Sequence, residues 1–286
     1  MLESASMLTA ENFGGNIPPL PTPVYQRKYD GKKVFDFLSQ TRLIKHIIKG
    51  GVDAIFLLGT AGESPTIPPY EYDRAIKHGI LTIKNEKKDM PVLIGVSADS
   101  IEEMIWRAKF AQENGADALV LVPLFGEGSP QEKLDTLIKE TDLPVVIYDN
   151  PGIHTGENKG KDLPSDFIKR AKENSNGRVI GIKITSSNSQ IFEDCLKLQD
   201  NTFRVLQGGA NPDTLNMEVE GQRVSGVVSF EAVIIPWLIN LMIAHPKNKE
   251  ILQWVKNLGE YSYNPKAVKE LLANLEILST GLMFKD

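Results

Sequence analysis

Three short stretches of this 286-residue chain carry residue types that can work on a carbonyl group: a lysine among branched residues, a tyrosine ending an apolar run, and a small-residue turn with a threonine. In Val179-Ile180-Gly181-Ile182-Lys183-Ile184-Thr185, strand periodicity puts Ile180, Ile182 and Ile184 on one face and Val179, Gly181, Lys183 and Thr185 on the other. The branched face suits packing against helices, so Lys183 is expected to point into an enclosed interior. Burial disfavours an ammonium ion and lowers an amine's pKa, which suits a lysine that attacks a carbonyl to form a Schiff base. The same position equally suits a lysine paired with a buried carboxylate.

Val145-Val146-Ile147-Tyr148-Asp149-Asn150-Pro151-Gly152 carries Tyr148 from an apolar strand into a turn. A phenol can act as general acid and base once a hydroxyl partner or a nearby cation tunes it from its free pKa of about 10. Otherwise Tyr148 is a packing residue with a satisfied hydroxyl. The third stretch, Leu57-Leu58-Gly59-Thr60-Ala61-Gly62-Glu63-Ser64-Pro65, is a turn whose successive N–H groups can cradle a carboxylate, with the Thr60 hydroxyl placed to relay a proton. It also reads as a plain helix entry, with Ser64 as cap and Pro65 at the first helical position.

The elements that must hold these residues follow a repeating grammar. Strand-like runs occur at Ile17–Tyr25, Ala54–Gly59, Val92–Ser97, Ala118–Pro123, Val145–Tyr148, Val179–Ile184, Phe203–Gln207 and Val224–Ser229, with amphipathic stretches between them. In the first such stretch Val34, Phe35, Leu38, Ile44, Ile47 and Ile48 recur at roughly helical spacing, and Gly50-Gly51 supplies the stop. Eight β/α units in about 230 residues predict an α/β fold of the closed (β/α)8 TIM-barrel type, with Lys183 near its C-terminal mouth. After Pro236 two helical segments, about Lys247–Gly259 and Lys266–Thr280, predict a small helical appendage. The expected organisation is an N-terminal extension (1–15), a barrel (16–235) and a C-terminal helical region (236–286).

Composition narrows the function classes. With 41% hydrophobic and 24% charged residues the chain has ordinary globular values. A net charge of −5 without long like-charge runs gives no footprint for nucleic acid or a membrane surface, so the partner is a small molecule. The first fifteen residues have neither a basic region nor a sustained apolar one, which predicts a cytoplasmic location. Cys195 is the sole cysteine and the four histidines are scattered, so neither an internal disulfide nor a metal site is expected.

Taken together, Gly59-Thr60-Ala61-Gly62-Glu63-Ser64, Tyr148 ahead of Asn150-Pro151, and Gly181-Ile182-Lys183 resemble the dihydrodipicolinate synthase / N-acetylneuraminate lyase family of class I pyruvate-dependent aldolases. The likeness runs from about Ile17 through the appendage and includes Gly208 and Gly226-Val227-Val228-Ser229. Carried over residue by residue, it implies Lys183 as the Schiff-base lysine, Tyr148 as the proton carrier and Thr60 as the hydrogen-bond partner of Tyr148. Ala61 and Gly62 would offer backbone N–H groups to the pyruvate carboxylate, and Gly208 and the Val228 carbonyl would line the pocket. It further implies a homotetramer, built as a dimer of dimers, and no cofactor.

The departures bear on the substrate. Ala61 stands where the family commonly has a hydroxyl residue, so one side-chain contact to the carboxylate is lost. Where the synthases show a tyrosine pair after the fourth strand, this chain has Val122-Pro123-Leu124-Phe125, and Phe125 cannot pass a proton. The synthases place an arginine soon after the tyrosine-strand proline, whereas Gly152-Ile153-His154-Thr155-Gly156 offers none. An unmatched carboxylate there would cost several kcal/mol. These features resemble more closely the 2-keto-3-deoxy sugar-acid aldolases of the same family, and His154 is expected either to contact substrate hydroxyls or to face solvent. The expected activity is cleavage or formation of a carbon–carbon bond between pyruvate and an aldehyde. The alternatives are dihydrodipicolinate synthesis, dehydration of a 2-keto-3-deoxy sugar acid, and a non-catalytic barrel that binds 2-oxo acids. The family often continues beyond Gly281-Leu282-Met283, which bears on contacts between the appendage and the barrel mouth.

Overall fold

Eight parallel strands form one sheet that curls until its first and last members meet, in a computed structural model that describes residues 8–262 and 264–285. In chain order the elements are β1 (Gly15–Asn16), β2 (Val24–Gln26), β3 (Lys33–Phe35), α1 (Phe37–Lys49), β4 (Ile55–Leu57), α2 (Pro69–Glu86) and β5 (Val92–Gly95). There follow α3 (Ile101–Glu113), β6 (Ala118–Leu121), α4 (Pro130–Glu140), β7 (Val145–Asp149), α5 (Ser165–Asn174), β8 (Val179–Ile184), α6 (Ser189–Leu198) and β9 (Arg204–Gly208). The last are α7 (Pro212–Asn216), β10 (Gly226–Val228), α8 (Glu231–Ile234), α9 (Pro236–Ala244), α10 (Lys249–Gly259) and α11 (Pro265–Asn274).

The sheet order is β1-β10-β9-β8-β7-β6-β5-β4, all parallel. The ring is completed by the segment after β1: the Phe56 amide donates to the Pro18 carbonyl at 3.1 Å, and the Leu20 amide donates to the Phe56 carbonyl at 2.8 Å. This is the expected (β/α)8 barrel. Its first strand is far shorter than the run Ile17–Tyr25, because Pro18, Pro19, Pro21 and Pro23 have no N–H to give to a ladder. The end of that run instead joins an antiparallel hairpin with β3, pairing Val24 with Phe35. Val34 and Phe35 therefore lie in a strand. The helix begins only after Asp36, whose carboxylate caps the Ser39 amide, and Leu38 is exposed.

Alternation along the strands builds two layers. Ile55, Leu57, Ile94, Leu119, Leu121, Ile147, Ile182 and Ile184 face the helices, where they pack with Leu43, Ile44 and Ile47 of α1 and their counterparts. Phe56, Leu93, Val120, Val146, Leu206 and Val228 fill the barrel interior. Leu8, Ala10 and Phe13 join this interior cluster from below, so part of the segment expected as an extension packs against the barrel; residues 1–7 of that segment lie outside the described residues. The alternation slips at the start of β8, where the register shifts between Val145 and Val146. Val179 consequently packs with the outer layer and Ile180 with the inner one, the reverse of the simple period-two expectation.

The appendage helices α10 and α11 start at Asn248 and Asn264, whose side chains cap them. An additional helix, α9, precedes them, with Pro236 in its first turn. Helix α11 ends at Asn274 and not near Thr280; the chain beyond it passes through turns and bends, and the Thr280 hydroxyl donates to the Val24 carbonyl at 2.6 Å.

Candidate active site

Lys183 and Tyr148 are register partners on the neighbouring strands β8 and β7. Both side chains face the barrel interior at the C-terminal ends of their strands, and both are nearly buried, at 6% and 4% exposure. The Lys183 Nζ lies 3.8 Å from the centroid of the Tyr148 ring and 5.5 Å from that of Phe56. Gly208 on β9 makes room for the lysine: a Cβ there would come within 3.0 Å of Lys183 Cε and would collide with the Thr185 hydroxyl. A larger residue at position 208 would displace the amine.

The Tyr148 hydroxyl accepts hydrogen bonds from Asn150 Nδ2 at 2.8 Å and, more weakly, from Thr185 Oγ1 at 3.4 Å. Burial alone would raise the phenol's pKa; the Lys183 cation and the hydrogen bonds from Thr185, Lys183 and Asn150 outweigh it and hold the phenol below its ordinary value. A phenol so tuned is a better base near neutral pH. Thr60, expected to bond to Tyr148, has no hydrogen bond to it; that place is taken by Asn150 and Thr185. Asn150 sits two residues past Tyr148 on an extended segment and so on the same face, a spacing the sequence already displayed.

The turn after β4 is held by its own backbone and by Thr22, whose hydroxyl donates to the Gly62 carbonyl at 2.7 Å. Helix α2 begins only at Pro69, so Ser64 caps nothing; its hydroxyl and carbonyl receive the buried Arg107 guanidinium instead. The Gly62 amide is spent on the Gly59 carbonyl at 3.0 Å. Gly62 is also packed so closely that a Cβ would meet the Leu58 backbone at 2.8 Å. Among the described residues the amides of Thr60 and Ala61, like that of Gly59, have no protein acceptor, so Ala61 keeps a free donor and Gly62 does not.

Thr60, Ala61, Tyr148, Lys183, Gly208 and Val228 all line one cavity of about 360 Å³, a size usual for small-molecule sites. Of the remaining expected contacts, the Val228 carbonyl already accepts from the Gly209 amide at 2.9 Å. Phe125 lies off the cavity, on a separate apolar gap of about 30 Å³ beside Tyr148, Val120 and Ile153. His154 neither lines this cavity nor faces solvent. It is 3% exposed; its Nδ1 meets the Lys161 carbonyl at 2.8 Å and its Nε2 accepts from the Asn150 amide at 3.3 Å, so it ties down the loop after β7. Burial lowers its pKa, which keeps the ring neutral in that role. Beside it, burial pushes the Asp149 carboxyl up to about 7 against the opposing Leu163 amide.

Two contributions come from the appendage, which sequence periodicity cannot connect to the barrel. Ser262 and Asn264 line the same cavity, together with Glu231 of the first turn after β10. Buried Lys269 of α11 pairs with Glu63 of the turn and also donates to the Leu282 carbonyl at 2.8 Å, while the Phe284 amide donates to Glu63 Oε2 at 2.9 Å. The chain's last described residues thus reach the turn that carries Thr60 and Ala61.

Comparison with known proteins finds a match to the model of the dihydrodipicolinate synthetase family over residues 12–280. A 4-hydroxy-tetrahydrodipicolinate synthase of a Sulfurihydrogenibium species is 30% identical over 80% of this chain and 74% of its own length. The synthase of the same name from Campylobacter jejuni is 28% identical over 87% of this chain and 79% of its own. Among solved structures, the dihydrodipicolinate synthase of Bacteroides thetaiotaomicron superposes with a TM-score of 0.79 at 27% identity, covering 97% of this chain and 93% of that one. A prophage protein of E. coli K12, solved in complex with pyruvate, superposes with a TM-score of 0.76 at 24% identity, covering 91% and 88%.

Proposed function

The chain belongs to the dihydrodipicolinate synthetase family and is an enzyme of the pyruvate-dependent class I aldolase type; from this premise we propose that Lys183 forms the Schiff base and that the substrate is a 2-keto-3-deoxy sugar acid. The observation that carries the mechanism is the Lys183 amine lying 3.8 Å from the Tyr148 ring at the closed end of the cavity. A phenolate at Tyr148 takes a proton from the lysine, and the free amine attacks the 2-oxo carbon; Tyr148 returns that proton to the departing oxygen, so water leaves, an iminium forms and the phenolate is restored. Tyr148 then removes the proton of the C4 hydroxyl. The C3–C4 bond breaks, its electron pair flows into the iminium to give an enamine, and an aldehyde departs. Protonation at C3 and hydrolysis release pyruvate and restore the amine. The free Thr60 and Ala61 amides are suited to hold the substrate carboxylate.

The sugar-acid substrate rests on what lies around the cavity. The loop after Tyr148 carries no arginine through Gly156, and its one basic ring, His154, is buried and neutral. A second reading, synthesis of 4-hydroxy-tetrahydrodipicolinate from pyruvate and aspartate semialdehyde, is favoured by the names of the relatives at 28–30% identity. Product analysis separates the two. Release of pyruvate and an aldehyde from a 2-keto-3-deoxy sugar acid supports cleavage; loss of water without pyruvate marks a dehydratase; condensation with aspartate semialdehyde alone overturns the sugar-acid assignment. We further propose a cytoplasmic homotetramer, for which sedimentation at equilibrium is the test. No described helix is long and apolar enough to cross a membrane.

A further inference from the structure

The outer part of the cavity carries a feature that the chemistry at Lys183 does not use. Glu231 opens onto it from the first turn after β10, and its Oε1 accepts from the Ser262 hydroxyl at 3.2 Å. Among the described residues this carboxylate has no cationic partner and no second donor, and Ser262 itself is 2% exposed, its one hydroxyl proton shared between Glu231 and the Leu258 carbonyl at 3.1 Å. The other polar groups around it, Asn264 and Ser229, are neutral. Lys183, the one cation on the described lining, stays charged as the iminium but is bonded to the 2-oxo carbon, beside the substrate's own 2-oxo carboxylate.

A carboxylate acceptor beside neutral donors and acceptors binds hydroxyl groups well and repels a second carboxylate, which would sit desolvated beside it without a counter-charge. We infer that Glu231, oriented by Ser262, is the specificity-determining residue of this enzyme: it accepts hydrogen bonds from the hydroxylated tail of the substrate and excludes tails that end in a carboxylate. This deepens the Schiff-base reading of the site and rests on it. Specificity of this kind comes as much from rejecting the wrong tail as from holding the right one.

The test reads occupancy of Lys183 and needs no turnover. Isotopically labelled pyruvate is trapped on the enzyme with borohydride in the presence of either a 2-keto-3-deoxy hexonic acid or 2-oxoadipate, which has the same number of carbons but a terminal carboxylate. The competitor concentration that halves the labelled adduct is measured for the native enzyme and for Glu231→Gln. The native enzyme is expected to favour the hydroxylated acid by about tenfold or more, and Glu231→Gln to narrow that ratio by about tenfold, each competitor being read against the same protein's own trapping of pyruvate. Ser262→Ala should shift the ratio the same way by a smaller factor. If pyruvate is trapped normally but the ratio is the same in Glu231→Gln, the inference falls and the Schiff-base reading stands. If pyruvate leaves Lys183 unmodified, the Schiff-base reading fails and takes the inference with it.

Discussion

At the scale of single residues, Tyr148 is placed to move protons and Lys183 to hold carbon, and the two roles come apart under mutation. Tyr148→Phe keeps the ring beside the amine but removes the hydroxyl, so turnover should fall by about 10²- to 10⁴-fold while pyruvate still reaches Lys183. The hydrogen bond from Asn150 is part of what holds the phenol down. Asn150→Ala should let the phenol rise towards its ordinary value and move the acid limb of the kcat/KM profile to higher pH; an unmoved limb would mean that another group is the base. Asp149 gives a stability counterpart. The folded protein holds its proton up to about pH 7, whereas the unfolded chain releases it near 3.8, so folding loses stability as pH rises through that window. His154, with a lowered pKa, works in the opposite sense, and its Nε2 lies 3.5 Å from Asp149 Oδ1, so the comparison of native with Asp149→Asn reads the two groups together. The variant should lose roughly 2 kcal/mol less than the native protein between about pH 5 and pH 7.5 in denaturant titrations. Lys183 and Tyr148 were legible in the sequence because a charged or polar residue in an otherwise apolar strand declares its face. Asn150 and Thr185 shared that face without a declared role, and His154 gave no sign that its ring would be buried.

At the scale of elements, the turn after β4 is braced by a long-range ion pair in addition to its own backbone bonds and Thr22. Lys269 and Glu63 are 0% and 4% exposed at their side chains, and burial holds the lysine's pKa below its ordinary value, opposed only in part by Glu63. Removing one member of such a pair strands the other charge, at a cost of about 3–5 kcal/mol. Lys269→Met should therefore lower the melting temperature sharply and raise the KM for pyruvate, because Thr60 and Ala61 lose their anchor. Adding Glu63→Gln to it should recover much of the stability. A single variant with native stability and KM would show that the turn stands by itself. The strands and most helices could be read from periodicity, caps and the Gly50-Gly51 stop. The β2–β3 hairpin could not, because its strands are three residues each and Val34-Phe35 also fit the helical spacing. The slip at Val179-Ile180 was equally invisible, since a bulge has no periodic signal.

At the scale of the whole molecule, eight β/α units specify a barrel because only a closed parallel sheet buries one side-chain set inside and the other against helices. That much follows from the order of elements, and the family match over residues 12–280 agrees with it. What linear order does not reveal is which distant segments meet at the mouth. Ser262 and Lys269 reach the site only because the appendage folds back over the C-terminal ends of the strands, where Glu231 already lies after β10. The account as a whole depends on a covalent bond at one amine. Incubation with pyruvate and borohydride, followed by peptide mapping, should place a single pyruvate-derived group on Lys183 and none on Lys183→Ala. A native protein left unmodified, or modified at another lysine, would contradict it.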